Sequence, residues 1–151
     1  MNEQVTAATL FTIGFTHKSA ETFFTLLRQA GVERVLDIRL NNVSQLAGFT
    51  KRDDLRFFLA EICKAGYQHV PECAPTQEIL ANYKKHKGSW ETYVGSFLPL
   101  IRERHIEKIL TPALLNHACL LCSEALPDKC HRRLVAEFMK ERLPTLRIVH
   151  L

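Results

Sequence analysis

The sequence predicts an α/β fold, a single three-layer domain spanning residues 1–151, with a mainly parallel sheet of about five strands flanked by helices. Three observations predict it. Strand-like and helix-like segments alternate from one end of the chain to the other. The strand-like segments are short, nearly unbroken apolar runs, as expected of strands covered on both faces. No repeat, linker or low-complexity stretch interrupts them, and 151 residues suffice to bury about two-thirds of the unfolded surface.

Each element has a local reason. Thr9-Leu10-Phe11-Thr12-Ile13 reads as a buried strand ending at Gly14. Ser19 caps a helix with Phe23, Leu26, Leu27 and Ala30 on one face, closed by Gly31. Arg34 to Ile38 is a second strand. Leu55, Phe58, Leu59 and Ile62 mark a helix ending near Gly66, and Tyr67 to Val70 a third strand stopped by Pro71. Thr76 caps a helix through Lys85. Ser89 caps another from Trp90, carrying Tyr93, Phe97, Leu100 and Ile101 inward, with a kink or break expected at Pro99. His117 to Leu121 is the fourth strand. Asp128 is the expected cap of a helix burying Leu134, Val135, Phe138 and Met139, and Leu146 to Val149 closes the sheet.

Composition narrows the function classes. Hydrophobic content of 46% and charged content of 24% are those of an ordinary globular chain. No apolar run approaches a membrane span, and the polar start Met1-Asn2-Glu3-Gln4 is unlike a secretory signal. Five cysteines, an odd number without scaffold spacing, point to reduced thiols in a cytoplasmic protein. A net charge of +4 permits an anionic small molecule or a nucleic acid as partner without requiring either; oligomeric state is not legible. Lys84-Lys85-His86-Lys87 reads as a solvated helix end.

A parallel sheet gathers the residues that follow its strands at one rim, where α/β proteins bind ligands. Here these are Gly14, Thr16 and His17; Asp37, Arg39 and Asn41; Glu72; and Cys122 and Glu124. Cys130, His131 and Arg132 join them from the next helix. With Asp128 as cap, Cys130 falls near the second helical position, where free N–H groups, the helix dipole and a protonated His131 all favour a thiolate. The bland alternative is a buried structural cysteine, the reading preferred for Cys119 and Cys63. Asp37-Ile38-Arg39 is either an anion-holding arginine oriented by a carboxylate, or an ion pair pinning the loop from Leu40 to Thr50. A phosphatase-type loop after Cys122 is excluded, because it has no glycine, contains Pro127 and lacks the required arginine. Cofactors are not evident. A divalent metal at Cys122, Glu124 and Cys130 is conceivable, but a metal-free polar site is preferred, since adjacent Cys130 and His131 are poorly placed to share an ion.

The landmarks Thr12-Ile13-Gly14, Asp37-Ile38-Arg39, Leu120-Leu121-Cys122-Ser123-Glu124 and Cys130-His131-Arg132 resemble the family called domain of unknown function 488 across most of the chain. Asn41-Asn42-Val43-Ser44-Gln45 and Ala74-Pro75-Thr76 are similar to one branch of it. The resemblance implies a compact α/β domain with a rim site built from these elements, and supplies no reaction. Many relatives carry histidine and then serine after Thr-Ile-Gly, where Phe15 and Thr16 stand here; if that histidine is a ligand or base, either His17 replaces it or this branch does without. Cys73 stands where an aliphatic residue is typical.

The resulting expectation is a small enzyme using Cys130, less readily Cys122, as nucleophile, with His131 or His17 supporting the thiolate. Arg39 and Arg132 would hold the anion; Glu124 or Asp37 would orient them or move a proton. Two further classes stand beside it: a non-catalytic nucleotide or nucleic-acid binding module, and a metal-binding or thiol-redox protein in which Cys122 and Cys130 join on mild oxidation.

Overall fold

The computed structural model of the chain describes residues 7–43 and 48–151. The polar start Met1–Gln4 and the Ser44 and Gln45 of the branch motif lie outside the described residues. Five strands form one sheet, β1 (Thr9–Gly14), β2 (Arg34–Asp37), β3 (Gly66–His69), β4 (Ala118–Cys122) and β5 (Arg147–His150), in the order β3-β2-β4-β1-β5. Every pairing is parallel. The last strand to enter the middle, β4, separates β1 from β2 and sets Gly14 beside Cys122 and Asp37 beside Leu121.

Two helical layers cover the sheet. On one face α1 (Ala20–Ala30) and α2 (Arg52–Phe58), the latter running into a π turn (Leu59–Cys63), pack Phe23, Leu27, Leu55 and Leu59 against Ile13, Val35 and Leu121. On the other, α4 (Trp90–Glu103) and α7 (His131–Arg142) pack Phe97, Ile101, Val135 and Phe138 against Leu10, Leu36 and Leu120. Strand alternation assigns the faces. Leu120 and Cys122 point toward α4 and α7, and Leu121 away from them.

The capping expectations hold at Ser19, Thr76 and Ser89, whose side chains each accept a backbone N–H of the first turn. Gly31 closes α1 in the left-handed region at φ 75°. Thr76 starts α3 (Gln77–Lys84). Between α4 and β4 lie two one-turn helices, α5 (Ile106–Ile109) and α6 (Pro112–Leu115), too short to leave a periodic signal. Pro99 does not break α4, which is helical from Trp90 to Glu103. The carbonyl that the proline ring crowds belongs to Gly95, the most compliant backbone available.

One cap is a correction. Asp128 does not start α7; Cys130 is the N-cap, extended at φ −135° and ψ 139°, and its side chain makes no capping hydrogen bond. Asp128 sits instead in a turn closed by the Cys130 N–H donating to the Pro127 carbonyl at 3.2 Å. The shift moves Cys130 from inside the first helical turn to its threshold and makes His131 the first helical residue.

Candidate active site at the sheet rim

A cleft of about 200 Å³ opens above the carboxyl ends of β2 and β4. Its floor is Cys122, Cys130 and His131. One side is the loop after β2, with Arg39 and Asn41, and the opposite wall is aromatic, built by Tyr83 of α3 and Trp90 and Tyr93 of α4. Trp90 and Tyr93 are stacked with ring centroids 5.0 Å apart, and Tyr83 tilts against both. Lys84, Glu124 and Lys129 stand at the mouth, where Lys84 Nζ donates to Glu124 Oε1 at 2.6 Å.

At the floor the sulfurs of Cys122 and Cys130 are joined in a disulfide across eight residues. Cys122 arrives from the last position of β4 and Cys130 from the N-cap of α7. Beneath Cys122 lies Arg132, a fully buried guanidinium with no carboxylate bonded to it among the described residues. Its Nη1 donates to Cys122 Sγ at 3.1 Å and to the Glu124 carbonyl at 2.5 Å, its Nη2 to the Ala125 carbonyl at 3.4 Å and its Nε to Thr12 Oγ1 at 3.3 Å. A cation supported only by carbonyls, a hydroxyl and a sulfur is a strong reason for that sulfur to carry negative charge once reduced. Burial holds the Arg132 guanidinium below its ordinary range, against the opposing pull of Cys119 and Glu124.

His131 Nε2 lies 2.6 Å from the Ile38 carbonyl oxygen. A carbonyl only accepts, so Nε2 carries the proton and Nδ1 keeps its lone pair in the neutral ring. Burial lowers the imidazole to about 4, outweighing the carbonyl's opposite pull. His131 is therefore neutral near pH 7, which corrects the expectation of a protonated partner for Cys130.

The second rim cluster lies on the α1/α2 side. Arg39 Nε and Nη2 meet Asp37 Oδ1 and Oδ2, each at 2.9 Å, and Nη2 also donates to the Thr50 carbonyl at 2.6 Å. Both side chains are buried, and Phe15 lies under the guanidinium at 5.5 Å. Tyr67 Oη donates to Asp37 Oδ2 at 2.5 Å. Burial and this hydrogen bond together push the Tyr67 phenol well above its usual range.

The model of the family described as Domain of unknown function DUF488 matches residues 19–139. The chain belongs to this family. No curated protein and no solved structure matches it. The DUF488 span holds both rim clusters, Asp37 with Arg39 and Cys122 through Arg132, while Gly14, Thr16 and His17 precede it.

Within this DUF488 chain the sequence candidates separate. Cys122, Glu124, Cys130, His131, Arg39 and Asn41 converge on the cleft. Asp37 lies behind Arg39 as its carboxylate partner. Arg132 points into the core rather than the cleft, so it is a support for Cys122 and not a direct ligand-holding group. Gly14 is needed for packing, because a Cβ there would collide with the Glu124 carbonyl and come within 2.8 Å of Arg132 Nη1. Thr16 pins the same loop, its N–H at 3.0 Å and Oγ1 at 2.5 Å both donating to the Ser123 carbonyl. His17 is exposed and outside the cleft lining. Glu72 is exposed as well, and its backbone carbonyl accepts from Arg104. Cys73 and Cys119 are buried, with burial pushing Cys73 up to about 12 and Cys119 higher.

Sequence reasoning missed the aromatic wall and Lys84. The basic run read as a solvated helix end, yet its first lysine bridges to Glu124 across the cleft mouth. The available signal was Tyr83-Lys84 followed by Trp90 and Tyr93 across one interhelical turn.

Proposed function

We propose that this protein is a cysteine-dependent enzyme that exchanges thiols and disulfides on an anionic substrate with a planar group. The observation that carries the reading is the junction of Cys122 and Cys130 at the floor of the cleft, above a buried arginine bonded to Cys122. Cys130, at the helix threshold, attacks one sulfur of a substrate disulfide. The substrate S–S bond breaks, and its departing thiolate takes a proton from solvent. The Cys122 thiolate, held by Arg132, then attacks Cys130 Sγ, closing the Cys122–Cys130 bond and releasing the second half of the substrate as a thiol. Two electrons pass from the enzyme to the substrate, and a thiol reductant restores the pair. Lys84, held by Glu124, and Lys129 face the anionic part, while Trp90 and Tyr83 face the planar part. A cytoplasmic setting, which keeps thiols reduced, belongs to the same reading.

The test is turnover of small-molecule disulfides, with thiol release followed against wild type and against Cys122→Ser and Cys130→Ser. The reading expects turnover abolished by either change. Equal rates in wild type and both variants would remove it. The stacked Trp90 and Tyr93 beside two lysines favour a second reading, nucleotide binding without turnover. That reading expects salt-sensitive binding of a nucleoside monophosphate that survives both serine variants.

A further inference from the structure

We infer that in the reduced protein Cys122, Cys130 and His131 form a three-ligand zinc site, open to the cleft and mutually exclusive with the disulfide. The inference shares with the proposed function the premise that the pair can be reduced, and adds a second state of the same sulfurs.

The donors are already assembled. Both sulfurs and a ring nitrogen of His131 lie within 4.8 Å of one another, close enough for one ion with bonds of about 2.0–2.3 Å to reach all three. Adjacency of Cys130 and His131 does not prevent this, because the chain turns from extended to helical between them. The tautomer of the imidazole also suits a ligand. Its Nε2–H is committed to the Ile38 carbonyl at 2.6 Å, so Nδ1 presents the lone pair. Metal-bound histidines are typically held in this way, with the remote N–H donated to a backbone carbonyl or carboxylate.

Charge and spacing favour the same ion. The Cα atoms of Cys122 and Cys130 are 7.3 Å apart, wider than the roughly 4.4–6.8 Å usual for a disulfide, and a span that accommodates two sulfurs on one ion. Two thiolates neutralise a divalent cation, and Arg132 Nη1, 3.1 Å from Cys122 Sγ, supplies a hydrogen bond to one of them. Two sulfurs and an imidazole select a borderline-soft ion such as zinc over magnesium or calcium. The nearest cleft carboxylate, Glu124, is committed to Lys84 and stands outside the donor group. Three protein ligands leave a fourth position, and since all three line the cleft, that position faces the substrate space.

Loading and release balance simply. Zinc displaces two protons from the two thiols and takes a neutral imidazole. A disulfide oxidant then draws two electrons from the two thiolates, which close as Cys122–Cys130. The oxidant, with two protons, leaves as two thiols, and the zinc ion is set free.

The experiment titrates the reduced, chelator-stripped full chain with zinc alone, anaerobically, in competition with a chromophoric chelator. One zinc per chain is expected, released when a small-molecule disulfide is added, with loss of two titratable thiols. The Cys122→Ser/Cys130→Ser double variant should bind at least about 100-fold more weakly, and His131→Gln at least about 10-fold more weakly, since losing a ligand costs no less than the roughly 10–100-fold of losing its outer-shell partner. Reduced wild type binding zinc no tighter than the double variant overturns the site. Cobalt(II) gives a readout on wild type alone, independent of how the variants fold. An intense tetrahedral thiolate spectrum is expected, and a weak octahedral one overturns the inference. Disulfide turnover without zinc binding would remove this inference and leave the proposed function standing. Zinc binding without turnover would do the reverse.

Discussion

The two buried arginines of the rim are built on opposite plans. Arg39, on the α1/α2 side, has a carboxylate partner through two hydrogen bonds of 2.9 Å, a carbonyl and an aromatic ring beneath it. Arg132, on the α4/α7 side, has two carbonyls, a hydroxyl and the sulfur of Cys122, and no carboxylate among the described residues. The first plan is closed, with each charge neutralised by its neighbour. The second is left one negative charge short, and the group placed to supply it is a cysteine at the floor of the cleft. A fully buried guanidinium thus donates to a sulfur, and that donation favours the thiolate when the sulfur is reduced. The difference separates an arginine neutralised by a carboxylate from one that leans on a sulfur, although both clusters sit at the ends of neighbouring strands.

The comparison breaks most visibly in stability. Asp37→Ala orphans a buried guanidinium and should cost about 3–5 kcal/mol in denaturant unfolding of the reduced protein. Arg132→Met leaves two carbonyls, the Thr12 hydroxyl and a Cys122 sulfur that can take up a proton, and should cost a smaller 1–3 kcal/mol, roughly the penalty of unsatisfied neutral groups. Thiol alkylation against pH sorts the pair in the other direction. Arg132→Met should raise the thiol pKa of Cys122 by a unit or more, about what loss of an adjacent cation produces, while Asp37→Ala leaves it in place. Equal costs in unfolding, with no change in the thiol, would mean that both arginines are merely structural.

The pH dependence of stability sharpens the same contrast. His131 is lowered from 6.5 to about 4 in the folded protein, chiefly by burial. Between those values the unfolded chain binds the proton and the native one does not, so stability falls as pH drops from about 6.5 to about 4. His131→Gln should flatten that part of the curve. If the slope between pH 6.5 and 4 is the same in both proteins, the imidazole is not held neutral by its place between Ile38 and the sulfurs.

Most of the fold was legible because local chemistry and tertiary packing agree. Ser19, Thr76, Ser89 and Gly31 are strong terminal signals, and the apolar runs at Leu10–Ile13 and Cys119–Leu121 admit only doubly covered strands. Convergence of Asp37, Arg39, Cys122, Glu124 and Cys130 at one rim followed from parallel topology alone. What misled was chemistry decided by distant partners. Asp128 carries a better capping side chain than Cys130, yet the turn at Pro127 sets the helix start. Arg132 reads as an anion-holder because nothing local shows that it points inward, toward Thr12 across 120 residues. His17 and Glu72 follow their strands in sequence but turn away from the cleft, and no pattern of period two or 3.6 encodes where a loop side chain points.

Tyr67→Phe tests the closed cluster at a finer scale. It removes one hydrogen bond to a buried carboxylate that keeps three others from Arg39, so the expected loss is about 1.5–3 kcal/mol in unfolding, with no change in cysteine reactivity. A change in the alkylation rate of Cys122 or Cys130 would mean that the two clusters are coupled through the rim.

The smallest expected effect on stability belongs to Lys84, and it decides whether the cleft mouth serves binding. Lys84 and Glu124 are 50% and 43% exposed, so their ion pair is screened by water and should contribute less than about 1 kcal/mol. Lys84→Met should therefore leave the unfolding midpoint nearly unchanged. It should still weaken binding of a nucleoside monophosphate measured by quenching of Trp90, because the lysine lines the cleft and stands over the Tyr83 ring that packs against Trp90. The same change should reduce the salt dependence of that binding, since one cation fewer meets the phosphate. Unchanged affinity and salt slope would assign Lys84 to the solvated surface and leave the aromatic wall, with Lys129, as the whole of the recognition site.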